Sequence, residues 1–224
     1  MSTALSQANR VLLHNLSWQQ FENLLLDLGN SRAARVAYED GTLEIMTPLP
    51  EHEYYKEAIS IVIQDIAETL EIDYECLGST TWKRERYLAG VEPDNCFYFQ
   101  NEAAIRGKLD FNLEQDPPPD LALEIDLTNK SLDRFSIYAR LGVPEIWCYD
   151  QRSKQAPSVQ EGACFDSGVL TIYQRQGETY QNVEISGIFP SLPIQDIPAL
   201  LERYRGEGRR SLRRAIREWT IAHR

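Results

Sequence analysis

Apolar positions along this chain change period several times, and each change marks an element. In L-S-W-Q-Q-F-E-N-L-L-L-D-L-G, residues 16 to 29, the spacing is helical. Ser17 and Gln20 make a capping-box pattern, Leu16 and Phe21 are placed for a hydrophobic staple, and Gly29 suits the position past the end. A helix over 18–28 is predicted. The next apolar residues alternate: A-R-V-A-Y, then E-D-G, then T-L-E-I-M, a strand, a turn and a strand. T-P-L-P-E interrupts the pattern. Tyr55, Ile59, Val62, Ile66 and Leu70 then recur at three- and four-residue steps, predicting a longer helix that starts near Glu51.

Residues 74–90 read as β structure carrying the basic stretch Lys83, Arg84, Glu85, Arg86. E-P-D-N-C-F-Y-F-Q opens another strand, with Pro93 at its start, where a missing N–H is tolerated. A polar segment ending in three prolines marks a loop. In P-D-L-A-L-E-I-D, residues 119–126, Leu121, Leu123 and Ile125 occupy alternate positions and Leu127 continues the series. Ala122, Glu124 and Asp126 occupy the positions between, so this strand is apolar on one face and carries two acids on the other. T-N-K-S, residues 128–131, offers helix caps, and apolar residues at 132, 135, 138 and 141 predict a short helix closed by Gly142. V-P-E-I-W-C-Y-D is a further strand, which completes a β-α-β unit and implies a parallel pair with a right-handed crossover. A last hairpin turns around Gly177. The order predicts a mixed-sheet α/β domain flanked by helices.

Composition adds bounds to that picture. With 224 residues, 42% hydrophobic and 25% charged, one main soluble domain is expected. We divide the chain into a lead over 1–14, the α/β domain over 15–198 and a basic helical tail over 199–224. No apolar run approaches the roughly 20 residues a bilayer-spanning helix needs. The N-terminus lacks the basic start and apolar stretch of a secretory signal. Cys76, Cys96, Cys148 and Cys164 are far apart, which argues against structural zinc and for a reducing compartment. A cytoplasmic location is the expectation.

The net charge is -11, yet residues 203–224 hold eight arginines against Glu207 and Glu218. An acidic body disfavours non-specific DNA binding, which a basic arm could offset. The plainer reading of R-R-S-L-R-R-A-I-R-E-W is an amphipathic helix with Leu212, Ile216 and Trp219 as its buried stripe. Trp82, Tyr87, Phe97, Tyr98 and Trp147 are expected in the core rather than as base-stacking surfaces.

The candidate chemistry lies with the acids. Carboxylates on one face of one strand make an oxygen-rich site that suits Mg²⁺ or Mn²⁺. Like charges so close repel unless a cation, a proton or a basic side chain compensates. Asp94 and Glu44 are further candidate acids, and Lys130 or Arg134 could supply a cation. The plain alternative is that Glu124 or Asp126 bonds backbone amides or pairs with an arginine, while Glu44 faces solvent.

The ordered set D-G-T-L-E-I-M-T-P…H-E, then P-D, then L-A-L-E-I-D, then D-R-F-S-I-Y-A-R-L-G-V-P-E-I-W resembles a bacterial restriction-endonuclease family, abundant in cyanobacteria, of the PD-(D/E)xK nuclease superfamily. The similarity covers roughly residues 15–190. It implies a central mixed sheet flanked by helices and a divalent metal, Mg²⁺ or Mn²⁺, held by the acids. Asp94 matches the acid of P-D, Glu124 the (D/E) of the second motif, Glu44 the glutamate of the early hairpin and His52 the histidine after the proline turn. The superfamily lysine would stand two residues after Glu124, where this chain has Asp126. Many family members instead place a lysine four residues before the tyrosine on the next helix. Tyr138 anchors that count here, and the matching residue is Arg134.

The resemblance therefore implies a metal on Asp94 and Glu124, with Lys130 or Arg134 stabilising charge and His52 beside the site; Asp126, standing in the lysine's place, is either an extra ligand or a sign that the chemistry has shifted to Arg134 or Lys130. Arginine is effectively never deprotonated, so Arg134 could bind phosphate but not act as a base. The leading expectation is a metal-dependent DNA endonuclease, with homodimerisation by analogy. The alternative is a catalytically lapsed nuclease fold that binds nucleic acid or protein.

Overall fold

The computed structural model of the protein describes residues 9–29, 34–125, 132–150 and 168–224. Asp126, Lys130, Cys164 and the T-N-K-S segment lie outside the described residues. The elements run β1 (Asn9–Leu13), α1 (Trp18–Leu28), β2 (Arg35–Glu39), β3 (Thr42–Thr47), α2 (Pro50–Thr69), β4 (Glu75–Cys76), β5 (Trp82–Arg84), β6 (Ala89–Val91), β7 (Asn95–Tyr98), α3 (Glu102–Ile105), β8 (Leu121–Ile125), α4 (Arg134–Leu141), β9 (Glu145–Asp150), β10 (Val169–Gln176), β11 (Thr179–Val183), α5 (Ile197–Tyr204) and α6 (Arg209–His223). Short 3₁₀ turns follow β5 and precede α5.

The strands form two sheets rather than one. The first has the order β1-β3-β2-β6-β5 and the second β11-β10-β9-β8-β7-β4. β1, within the N-terminal lead, pairs with β3 at the edge of the first sheet. The crossing between sheets falls at Glu92-Pro93, between β6 and β7. Proline has no N–H to give to a ladder, so pairing stops there and the chain changes sheet. Buried Glu92 helps to fix the crossing, accepting from the Val36 amide at 3.2 Å and from the Thr81 hydroxyl at 2.5 Å. The β8–β9 pair is parallel, joined through α4, and the other described pairs are antiparallel.

Local chemistry explains the elements. The Ser17 side chain and that of Gln20 cap α1 reciprocally. Asp40 and Gly41 turn the β2–β3 hairpin with φ of 44° and 86°, the left-handed pair that a two-residue hairpin needs. α4 is capped by Asp133, which accepts from the Phe135 amide at 3.0 Å, and ends at Gly142 with φ 92°.

Two cores flank the second sheet. Leu121, Leu123 and Ile125 of β8 pack with Ile59, Val62 and Ile66 of α2 and with Leu212 and Ile216 of α6. Ala122 of the same strand packs in the other core, with Ala37, Val91 and Trp82 of the first sheet and Ile137 and Tyr138 of α4. The strand's two faces thus part as the alternation predicts, and both are buried. A smaller cluster of Trp18, Phe21, Val36, Tyr38 and Leu43 seats α1 on the first sheet. Trp82, Phe97, Tyr98 and Trp147 are core residues, as expected. Tyr87 departs from that expectation: it is 37% exposed and lies beneath the guanidinium of Arg86. Among the described residues no helix is long and apolar enough to cross a membrane.

Candidate active site

The acid-bearing face of β8 meets the first sheet and α4, and there the charged residues converge. β7 and β8 run antiparallel with Asn95 opposite Leu123. One step further Asp94 comes beside Glu124, and the Asp94 amide donates to the Leu123 carbonyl at 3.1 Å. Both carboxylates are buried, 1% and 2% exposed. Buried carboxylates in adjacent strands must be compensated, and each has found its own partner.

Asp94 accepts on both oxygens. His52 Nε2 lies 2.7 Å from Oδ1, and the Ile125 amide donates to Oδ2 at 2.7 Å. Burial presses the Asp94 carboxyl upward, but the hydrogen bond and charge of His52, the charge of Arg134 and the Ile125 amide hold it below the usual carboxylate range. His52 is in place because α2 begins at Pro50. A proline at the first helical position is preorganised for the turn, and it sets His52 in the first turn facing β7.

Glu124 is held from α4. Arg134 Nη1 lies 3.0 and 2.8 Å from its two oxygens, and the Tyr138 hydroxyl donates to Oε1. Residues four apart share a helix face, so one face of α4 delivers both groups. Burial favours an uncharged Arg134, yet the nearby carboxylates raise its pKa above the ordinary value and keep it cationic. Burial and then the Glu124 charge push the Tyr138 phenol well up, so it acts only as a donor.

The same guanidinium reaches across to the first sheet, where Arg134 Nη2 is 3.5 Å from Glu44 Oε1. Arg10 of β1 approaches Glu44 Oε2 at 3.5 Å. Glu44 is 1% exposed, so the solvent-facing reading of this residue is corrected. It is turned toward α4, where it meets Arg134.

Of the residues singled out in the sequence, Glu44, His52, Asp94, Glu124 and Arg134 come together, drawn from β3, α2, the start of β7, β8 and α4. Asp126 and Lys130 are outside the described residues. Sequence reasoning missed three contacts: Tyr138 on Glu124, Arg10 on Glu44 and the direct pairing of His52 with Asp94. The spacing of Arg134 and Tyr138 on one helix face was the available signal for the first. Arg10 is in the lead and carried no signal.

A hard-oxygen set of this kind suits Mg²⁺ or Mn²⁺ by chemistry. As arranged, it does not form a cage. Among the described residues no three His, Cys, Asp or Glu side chains are placed to hold one metal ion, and both oxygens of Asp94 and of Glu124 already accept hydrogen bonds. Among the described residues, the cation bonded to Glu124 is Arg134.

Comparison with known proteins bears on the family and the fold. A family model described as "Uma2: Putative restriction endonuclease" matches residues 18–203. No curated protein matches the chain. Among solved structures, the crystal structure of a putative nuclease belonging to DUF820, from Anabaena variabilis, superposes with a TM-score of 0.51 at 15% identity, covering 92% of this chain and 99% of that one. At that identity the likeness is one of fold.

Proposed function

This chain belongs to the Uma2 family of putative restriction endonucleases, and on that premise we propose that it is an endonuclease hydrolysing DNA phosphodiester bonds at the Asp94–Glu124 site. The observation that carries the reading is the meeting of Asp94 and Glu124 on neighbouring strands, buried beside His52 and Arg134. Buried ionisable groups with shifted pKa values cluster at functional sites.

The roles follow from the contacts. His52 and the Ile125 amide keep Asp94 anionic and oriented. Arg134 supplies a permanent positive charge that could meet a phosphoryl oxygen, and it cannot serve as the base. Tyr138 fixes the Glu124 carboxylate from the helix side. Mg²⁺ or Mn²⁺ is the proposed cofactor, and it would supply an activated water and polarise the phosphodiester. The carboxylates do not form its cage as they stand.

The test is cleavage of supercoiled plasmid with Mg²⁺ or Mn²⁺. Nicked and linear products are expected from the wild type. Asp94→Asn and Glu124→Gln should each lose about two orders of magnitude in rate, the scale on which removing one charge-positioning group acts. Undiminished cleavage by the Asp94→Asn/Glu124→Gln double variant sinks the assignment. One observation favours a second reading, a lapsed nuclease fold that still binds nucleic acid: Arg134 engages both oxygens of Glu124 and so already neutralises it. That reading predicts no cleavage with any divalent ion, together with salt-sensitive binding.

A further inference from the structure

Glu124 can serve only one strong cation at a time. We propose that Arg134 is the resident counter-cation of this site, and that Arg134 and a divalent metal ion exclude one another at Glu124 and Glu44. The inference rests on the active-site reading of these residues but not on cleavage.

Three observations support it. The Arg134 guanidinium sits within 3.0 Å of both Glu124 oxygens and 3.5 Å from Glu44, so it links acids that belong to different sheets. Arg134 is itself 4% exposed, so water does not screen the pair. A dication bound to these same carboxylates would stand against a buried positive charge, at distances where repulsion is strong in a poorly screened interior. Among the described residues, each acid of the site also has a basic neighbour. Arg134 and Arg10 approach Glu44, Arg134 holds Glu124, and His52 holds Asp94. Two further positive charges would meet that of Arg134 at the same two carboxylates.

Arg134 is placed so that it can leave. It is the first residue of α4, directly after the capping Asp133. Its long stem can therefore swing without breaking the helix interior. Arg10 and His52 do not substitute for it, because neither bonds Glu124. The site thus exchanges one cation for another. An ion must displace Arg134 to reach Glu124, and the cost of moving that arginine weakens metal affinity.

The experiment measures Mn²⁺ binding by calorimetry and thermal unfolding on the wild type, Arg134→Gln, Arg134→Lys and the double variant Arg134→Gln/Glu124→Gln. The wild type should bind weakly. Arg134→Gln should bind at least ten-fold more tightly, and Mn²⁺ at about 100 times Kd should raise its Tm by roughly 5–10 °C. That gain should vanish in the double variant. Equal Mn²⁺ affinity in the wild type and in folded Arg134→Gln overturns the proposal, as does a ten-fold gain that survives in the double variant. If Arg134→Gln does not fold even with Mn²⁺, Arg134→Lys carries the test. Lysine keeps the charge but cannot fork across two acids, so several-fold tighter binding than wild type is expected, and unchanged affinity overturns the proposal. Absence of cleavage by the wild type at saturating Mn²⁺ would count against the nuclease reading alone and leave this exchange standing.

Discussion

Tyr138 donates to Glu124 from one helical turn beyond Arg134, with its hydroxyl in a fully buried setting. Removing that hydroxyl leaves the carboxylate one donor short without opening a large cavity. Tyr138→Phe should therefore cost about 1–3 kcal/mol of stability with the fold retained, measured by urea unfolding. Asp94 makes a prediction about pH. Its folded pKa lies below its unfolded one, near 3.9. Its stabilisation is therefore complete above that unfolded value and is lost as pH falls through the lower folded value. Stability followed by acid titration should drop on that limb in the wild type. Asp94→Asn, which cannot titrate, should show a shallower fall, and an identical acid limb in both proteins would contradict the assignment.

At the scale of elements, α6 carries most of the arginines that make the C-terminal segment basic, but part of that charge is already spoken for. Asp65 of α2 is fully buried and is gripped by Arg213 at 2.8–3.2 Å and Arg217 at 3.2 Å. The arginines are about half exposed and the carboxylate is not. The asymmetry predicts which deletion hurts more. Asp65→Ala returns two arginines to water, whereas Arg213→Ala/Arg217→Ala strands a buried charge. The double arginine variant should lose about 3 kcal/mol or more, and Asp65→Ala clearly less, both read from chemical denaturation. The reverse order would show that these pairs do little to seat the helix.

For the whole molecule, the C-terminal helix is a wall of the core rather than an appendage. Leu212 and Ile216 pack with α2 and with β8, the strand whose other face bears Glu124. Truncation after residue 208 removes both, and loss of each such side chain costs about 2–5 kcal/mol. The truncated chain should show a large fall in Tm or fail to fold, before any question of DNA binding arises. Retention of the wild-type Tm would restore the tail as an independent arm. Many of the elements were legible from the chain, though β1 in the lead and α3 were not. The capping box of α1, the Asp40-Gly41 turn, the periodicity of α2 and the alternation along β8 are local signals, and the structure places those elements where these signals set them. The acids of the site were legible as types, because a carboxylate between core residues is a locally visible anomaly. What the sequence could not decide was partnership. The division into two sheets at Glu92-Pro93 is not a local signal, and the reach of Arg134 across the gap to Glu44, Arg10 on Glu44 and Asp65 beneath α6 join residues from 34 to 152 positions apart. Secondary structure answers to neighbours along the chain. Charge compensation in a buried site answers to whatever the fold brings within a few ångströms, and only the tertiary structure fixes that.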